Sequence, residues 1–243
     1  MLDSRNIELW DNLNSIWDIR VEVGDFANYE VFTKNKASVI YVPAKQINAP
    51  SFAHEMLHIF LQTKDVRIGN CISLSIKEKP HLENVMSESL IDHIGNYLAH
   101  IKMLPIFIQM GYDRSEFLSD YHVNKLNDTD IHDIKMNFIK KSFWGCARFN
   151  KIYIDFYIGK YFAAKSCPNV DFDYSKGLNE LRTINTKLYT VLDNLMSKWI
   201  DFDIAEIDNI LSSKYFEMQF EFVDELERWL NRKRIVASTA SPH

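Results

Sequence analysis

Three residues within a five-residue stretch, His54, Glu55 and His58, are the part of this chain whose types and spacing can do chemistry. On an α-helix, residues four apart lie on one face, so His54 and His58 can aim their imidazoles at a common point. Two neutral imidazoles suit Zn²⁺. Glu55 projects about 100° round the helix from His54, within reach of a water held at such a point without being a ligand itself.

A catalytic zinc keeps three protein ligands and one open position. The sequence places a candidate third ligand on the next helical segment, expected from about His81 to Leu104 and ended by Pro105. There Glu88, Asp92, Gly95 and Ala99 fall at i, i+4, i+7 and i+11 and form one stripe. Gly95 and Ala99 permit close approach of another helix, while Glu88 reaches the metal. Asp92, one turn on, can accept the second ring N–H of a ligating histidine and fix its tautomer. Glu83 is a rival third ligand, ranked behind Glu88 because it lacks the following Asp92 and Gly95.

The elements that must position these residues are legible on both sides. Ala37 to Val42 is β-branched and aromatic and reads as a strand. Asn48 or Ser51 can cap the histidine-bearing helix, with Pro50 in its first turn. Phe52, Met56, Ile59 and Phe60 form its apolar stripe. Upstream, Ile7 to Ile19 has helical periodicity and Arg20 to Val23 alternates like a strand. Lys34 to Lys36 joins Asn28–Thr33 to Ala37–Val42 as a hairpin.

The combination of His54-Glu55-x-x-His58 with Glu88-x-x-x-Asp92-x-x-Gly95 resembles the gluzincin, or thermolysin-type, branch of zinc metallopeptidases. The resemblance covers about sixty residues, Ala37 to Ala99. Compact intracellular proteases of the ImmA/IrrE type share such an arrangement and are nearer in size. It implies Zn²⁺ at His54, His58 and Glu88, Glu55 as general base, Asp92 supporting a ligand, and a protein or peptide substrate. It further implies that the strand Val39–Val42 lies at the sheet edge and pairs with extended substrate, the plain alternative being an ordinary paired strand. The asparagine that thermolysin-like enzymes carry before the ligand glutamate is Ser87 here. His122, His132, Tyr153 and Tyr157 are all candidates for stabilising the oxyanion, and nothing selects among them. Two other functions compete with peptide hydrolysis: a catalytically inactive interaction module that keeps a zincin fold, and a hydrolase of non-peptide amides.

Composition frames the rest. The chain has 243 residues, 47% of them hydrophobic, with only seven glycines and six prolines, which points to a helix-dominated fold with few tight turns. A net charge of −5 gives no nucleic-acid footprint. Cys71, Cys146 and Cys167 are odd in number and widely spaced, which suits a reducing compartment. Neither a signal peptide nor a membrane span is visible, so a cytoplasmic protein is expected, with secretion by a signal-less route as the other option.

Beyond Pro105, Asn127–Asp130 can cap a helix and Ala147 to Lys165 is read as an aromatic-rich one. Leu178 to Trp199 has the pattern of one long amphipathic helix. Asp203 to Glu206 resembles a capping box, and Phe216 to Leu230 forms a final stripe. The expected fold is therefore α+β: a zincin-like core with a small sheet over 1–110, a helical lobe over 111–234, and a disordered tail over 235–243.

Overall fold

In a computed structural model, which describes residues 1–141, 147–204 and 214–238, the chain is α+β, mostly helical with a small mixed sheet. Cys146, Ala205 and Glu206 lie outside the described residues. The structure divides into two compact units that interleave in sequence: Met1–Arg67 with Ala99–Val123, and Ile68–Leu98 with Asn124–His243.

The first unit opens with α1 (Ile7–Ile16), followed by β1 (Asp18–Gly24), β2 (Glu30–Lys34) and β3 (Ala37–Pro43). β2 and β3 form the expected hairpin, with Lys34 opposite Ala37 and a two-residue turn at Asn35 and Lys36. Both turn residues have positive φ, 51° and 61°, the type I′ geometry whose twist matches that of the flanking strands. The strand order is β1-β3-β2, with β1 parallel to β3. β3 is therefore central, and Ile40 and Val42 are fully buried. This corrects the expectation that Val39–Val42 is a substrate-pairing edge. Its backbone is occupied on both sides, so it has no free groups for an added strand.

β3 leads into α2 (Ala49–Thr63), which begins as expected: the Asn48 side chain accepts from the Ser51 amide at 2.8 Å and Pro50 lies in the first turn. Phe52, Ala53, Met56, Leu57 and Ile59 are at most 1% exposed, so burial on most sides holds this helix rigidly.

α3 (Ile68–Lys77) and the short α4 (Pro80–Glu83), both in the second unit, precede α5 (Glu88–Gln109), which belongs to the second unit up to Leu98 and to the first from Ala99. The single helix expected over 81–104 is thus interrupted before Glu88. The Ser87 hydroxyl accepts from the Leu90 amide at 3.1 Å, and the Asp155 carboxylate accepts from the Ser87 amide at 3.1 and 3.2 Å. These contacts start α5 afresh. Pro105 does not end it. The proline forfeits one ladder hydrogen bond, but its ring faces solvent while Met103 and Phe107 on either side are fully buried, and that packing carries the helix on to Gln109. Gly95 does serve close approach. A Cβ there would sit 2.8 Å from the Gly69 Cα, so α3 and α5 cross at a glycine–glycine contact.

The remaining elements are α6 (Asp128–Asn137), a ribbon of β4 (Ile139–Lys141) and β5 (Ala147–Phe149), and then α7 (Lys151–Lys165), α8 (Ser175–Ile184), α9 (Thr186–Asp201) and α10 (Lys214–Ser238). The aromatic-rich segment is helical from Lys151, its first residues forming β5 instead. The long helix expected over Leu178–Trp199 is two helices. Asn185 ends α8 and caps α9, its side chain accepting from the Leu188 amide at 3.0 Å, a local bond that competes with helix continuation. α10 reaches Ser238, and residues 239–243 of the expected tail lie outside the described residues. Among the described residues no helix is long and apolar enough to cross a membrane.

Candidate metal centre

α2 presents His54 and His58 on one face, one turn apart, with their Nε2 atoms 3.2 Å from each other. The C-terminal half of α5 brings in a third imidazole, His100. Ring centroids lie 5.0 Å apart for His54 and His58, 4.9 Å for His54 and His100, and 5.5 Å for His58 and His100. One ring nitrogen from each residue falls within 4.8 Å of the others, and among the described residues this is the group that could hold a metal ion. All three residues belong to the first unit.

The arrangement fits a metal on its donor chemistry. Tetrahedral zinc with nitrogen ligands at about 2.0–2.1 Å spaces those nitrogens roughly 3.3–3.4 Å apart. The pair on α2 already has that spacing, and closing the third side needs a shift on the order of 1 Å. His54 and His100 are buried and His58 half-buried. Burial, reinforced by the neighbouring His58 and His100, holds His54 well below the usual imidazole range, against a weak opposing pull from the Phe117 backbone. Burial also lowers His58 to about 4. Both rings are therefore neutral at physiological pH, the form that ligates.

Glu55 is the unusual acid. Only 8% exposed, it is pushed up to about 8, first by burial and then by the nearby charge of Glu30. A carboxyl in this state holds a proton at neutral pH until a cation nearby stabilises the carboxylate.

Glu88 is not one of the grouped residues; it is exposed in the first turn of α5, within the second unit. Asp92 and Glu83 are exposed as well. Of the candidates for stabilising an oxyanion, His122 and His132 are exposed, Tyr153 is half-buried, and Tyr157 is a core residue donating to the Leu181 carbonyl at 2.8 Å. None of the four belongs to the histidine group.

His100 is the residue that sequence reasoning passed over. It stands three and seven residues before the buried Met103 and Phe107, and so shares the inward face of α5 with them. A histidine in phase with an apolar stripe was the available signal. The Glu88 stripe, immediately beside it, carried the more familiar pattern.

No protein-family model, curated protein or solved structure matches this chain.

Proposed function

We propose that this chain is a zinc-dependent peptidase acting on a protein or peptide substrate, with His54, His58 and His100 as ligands and Glu55 as general base. The observation that carries the reading is the convergence of three imidazoles on one point, with a buried carboxyl adjacent in sequence to the first of them. When bound, zinc supplies a Lewis acid that brings the pKa of a coordinating water towards about 7 and polarises the scissile carbonyl.

The chain's own residues do the rest. Three neutral imidazoles would leave a bound ion its full double charge, which would favour ionisation of Glu55 against the burial that otherwise keeps it protonated. As the carboxylate, Glu55 takes a proton from the attacking water and returns it to the leaving amine. α2 holds His54 and His58 one turn apart on a helix whose apolar residues are packed into the core, so the pair is aligned before anything binds.

Metal content decides the ligand set. Protein purified without chelators or a histidine tag should carry close to one zinc per chain. His100→Ala should lose most of it, and Glu88→Ala should retain it. Loss on Glu88→Ala with retention on His100→Ala would overturn the assignment. Cleavage of an unbiased peptide library, lost by about 10²-fold or more in Glu55→Gln with zinc retained, would support the chemistry. A zinc-loaded chain that cleaves no peptide in the library would instead leave the interaction module standing.

A further inference from the structure

The three histidines have a further aromatic neighbour on the segment that follows α5. After α5 the chain turns at Gly111, whose φ of +90° suits glycine, and folds back along the helix it has just left. Two anchors hold this return segment. Tyr112 stacks on Phe107 with ring centroids 4.8 Å apart, its hydroxyl donates to Asp3 at 3.3 Å, and the Arg5 guanidinium lies 4.0 Å from its ring centroid. Asp113 and Glu116 then close a reciprocal cap, with Asp113 accepting from the Ser115 amide at 2.8 Å and Glu116 from the Asp113 amide at 3.0 Å. The next residue is Phe117. Its ring is 3% exposed and lies 4.7 Å from His54, 5.4 Å from His100 and 5.2 Å from Phe107, measured between centroids.

Phe117 therefore touches one ligand from each of the two histidine-bearing helices. An imidazole turns about two side-chain bonds, and a rigid ring wedged against both leaves each with little freedom to rotate away. It also covers the cluster on its own side with hydrocarbon. His58 is the least buried of the three histidines.

We infer that Phe117 is a positioning residue of the metal centre, holding His54 and His100 convergent and closing one side of the site to water. The inference rests on the reading of His54, His58 and His100 as metal ligands. Tyr112 and the Asp113–Glu116 cap act one step further out, by fixing where Phe117 stands. The hydrophobic layer round a metal governs how much solvent reaches it, and so the number of waters it takes and the acidity of those waters.

The test uses cobalt(II) as a probe metal in the whole chain, because its visible absorption reports coordination number directly. Wild-type protein should bind cobalt with the intense band of a four-coordinate ion. Phe117→Ala should still bind it, but about tenfold or more weakly and with a several-fold weaker band, as additional water enters. Phe117→Tyr, which keeps the ring, should restore the wild-type spectrum. Should Phe117→Ala fail to fold, Phe117→Leu keeps most of the volume without the flat ring and should show a partial loss of band intensity. A purely structural role for Phe117 would lower the melting temperature of these variants and leave spectrum and affinity at wild-type values, and that result overturns the inference. Wild-type protein that takes up no cobalt overturns the metal reading itself and the inference with it. His100→Ala tests the ligand reading alone, since it should lose most of the binding with Phe117 intact.

Discussion

Replacing Glu55 with glutamine should stabilise the metal-free protein, and the gain should grow with pH. In the folded chain the carboxyl titrates at about 8, against 4.5 for the ordinary value. Below pH 4.5 both the folded and unfolded states are protonated, and the side chain favours neither. Between 4.5 and 8 the unfolded state releases its proton while the folded state keeps it. Folding then costs a further 1.36 kcal/mol or so per pH unit, until the penalty levels off above pH 8. A span of about 3.5 units sets a ceiling near 5 kcal/mol on this argument, and partial hydration of the carboxylate brings the expected figure nearer 2 kcal/mol. Glutamine has the same shape and no charge in either state, so Glu55→Gln escapes the penalty. His54 and His58, with depressed folded values, destabilise the metal-free protein as pH falls from 6.5 towards 4, but they are common to both proteins and cancel in the difference.

Calorimetric melting of chelator-treated wild type and Glu55→Gln at pH 5, 6, 7 and 8 is the assay. The two should differ little at pH 5. By pH 8 the variant should melt roughly 4–8 °C higher, at about 2–4 °C per kcal/mol for a chain of this size. Saturating zinc should narrow the gap at pH 8, because an adjacent cation stabilises the wild-type carboxylate. A gap that stays constant from pH 5 to pH 8 would refute the reasoning, since it would mean that Glu55 ionises in the folded chain as it does in water.

Two further predictions concern the frame. Gly95→Ala should destabilise the protein by about 1–3 kcal/mol in urea denaturation, because the added Cβ would meet Gly69 at 2.8 Å. Were packing irrelevant, alanine would instead stabilise this helical position by up to about 1 kcal/mol, so the sign of the change decides. Lys36→Gly should raise stability by about 0.5–1 kcal/mol, since it relieves a lysine held at a φ of 61° in a turn where Asn-Gly is the favoured pair; an unchanged or lower denaturation midpoint would count against strain there.

Local sequence determined the features that local chemistry can specify. Asn48 and Pro50 define where α2 starts whatever surrounds it, so the sequence alone places His54 and His58 on one face and Glu55 beside them. The β2–β3 hairpin is equally local, with Asn35 and Lys36 between two strands that alternate in burial. Gly95 was legible as a point of close approach because, with Ala99, it continues the stripe of Glu88 and Asp92 with small side chains, which suit a contact face better than a solvated one.

Tertiary packing decided what depended on residues far apart in sequence. Whether β3 is an edge or a centre turned on β1, whose parallel pairing with β3 leaves no sign in the β3 residues themselves. The helix period runs smoothly through Leu178–Trp199, yet Asn185 breaks it, because its side chain can cap a new helix and bond locally. At Pro105 the outcome is the reverse: the breaker signal is plain, and buried Met103 and Phe107 override it. The third imidazole belongs to this second group. Glu88 and His100 lie on the same helix, and periodicity says only that they point in different directions, not which direction faces α2. That choice was made by the inward face of α5, where Met103 and Phe107 pack and carry His100 with them. A helix has one phase, and burial of its apolar side sets which polar residue is taken inside.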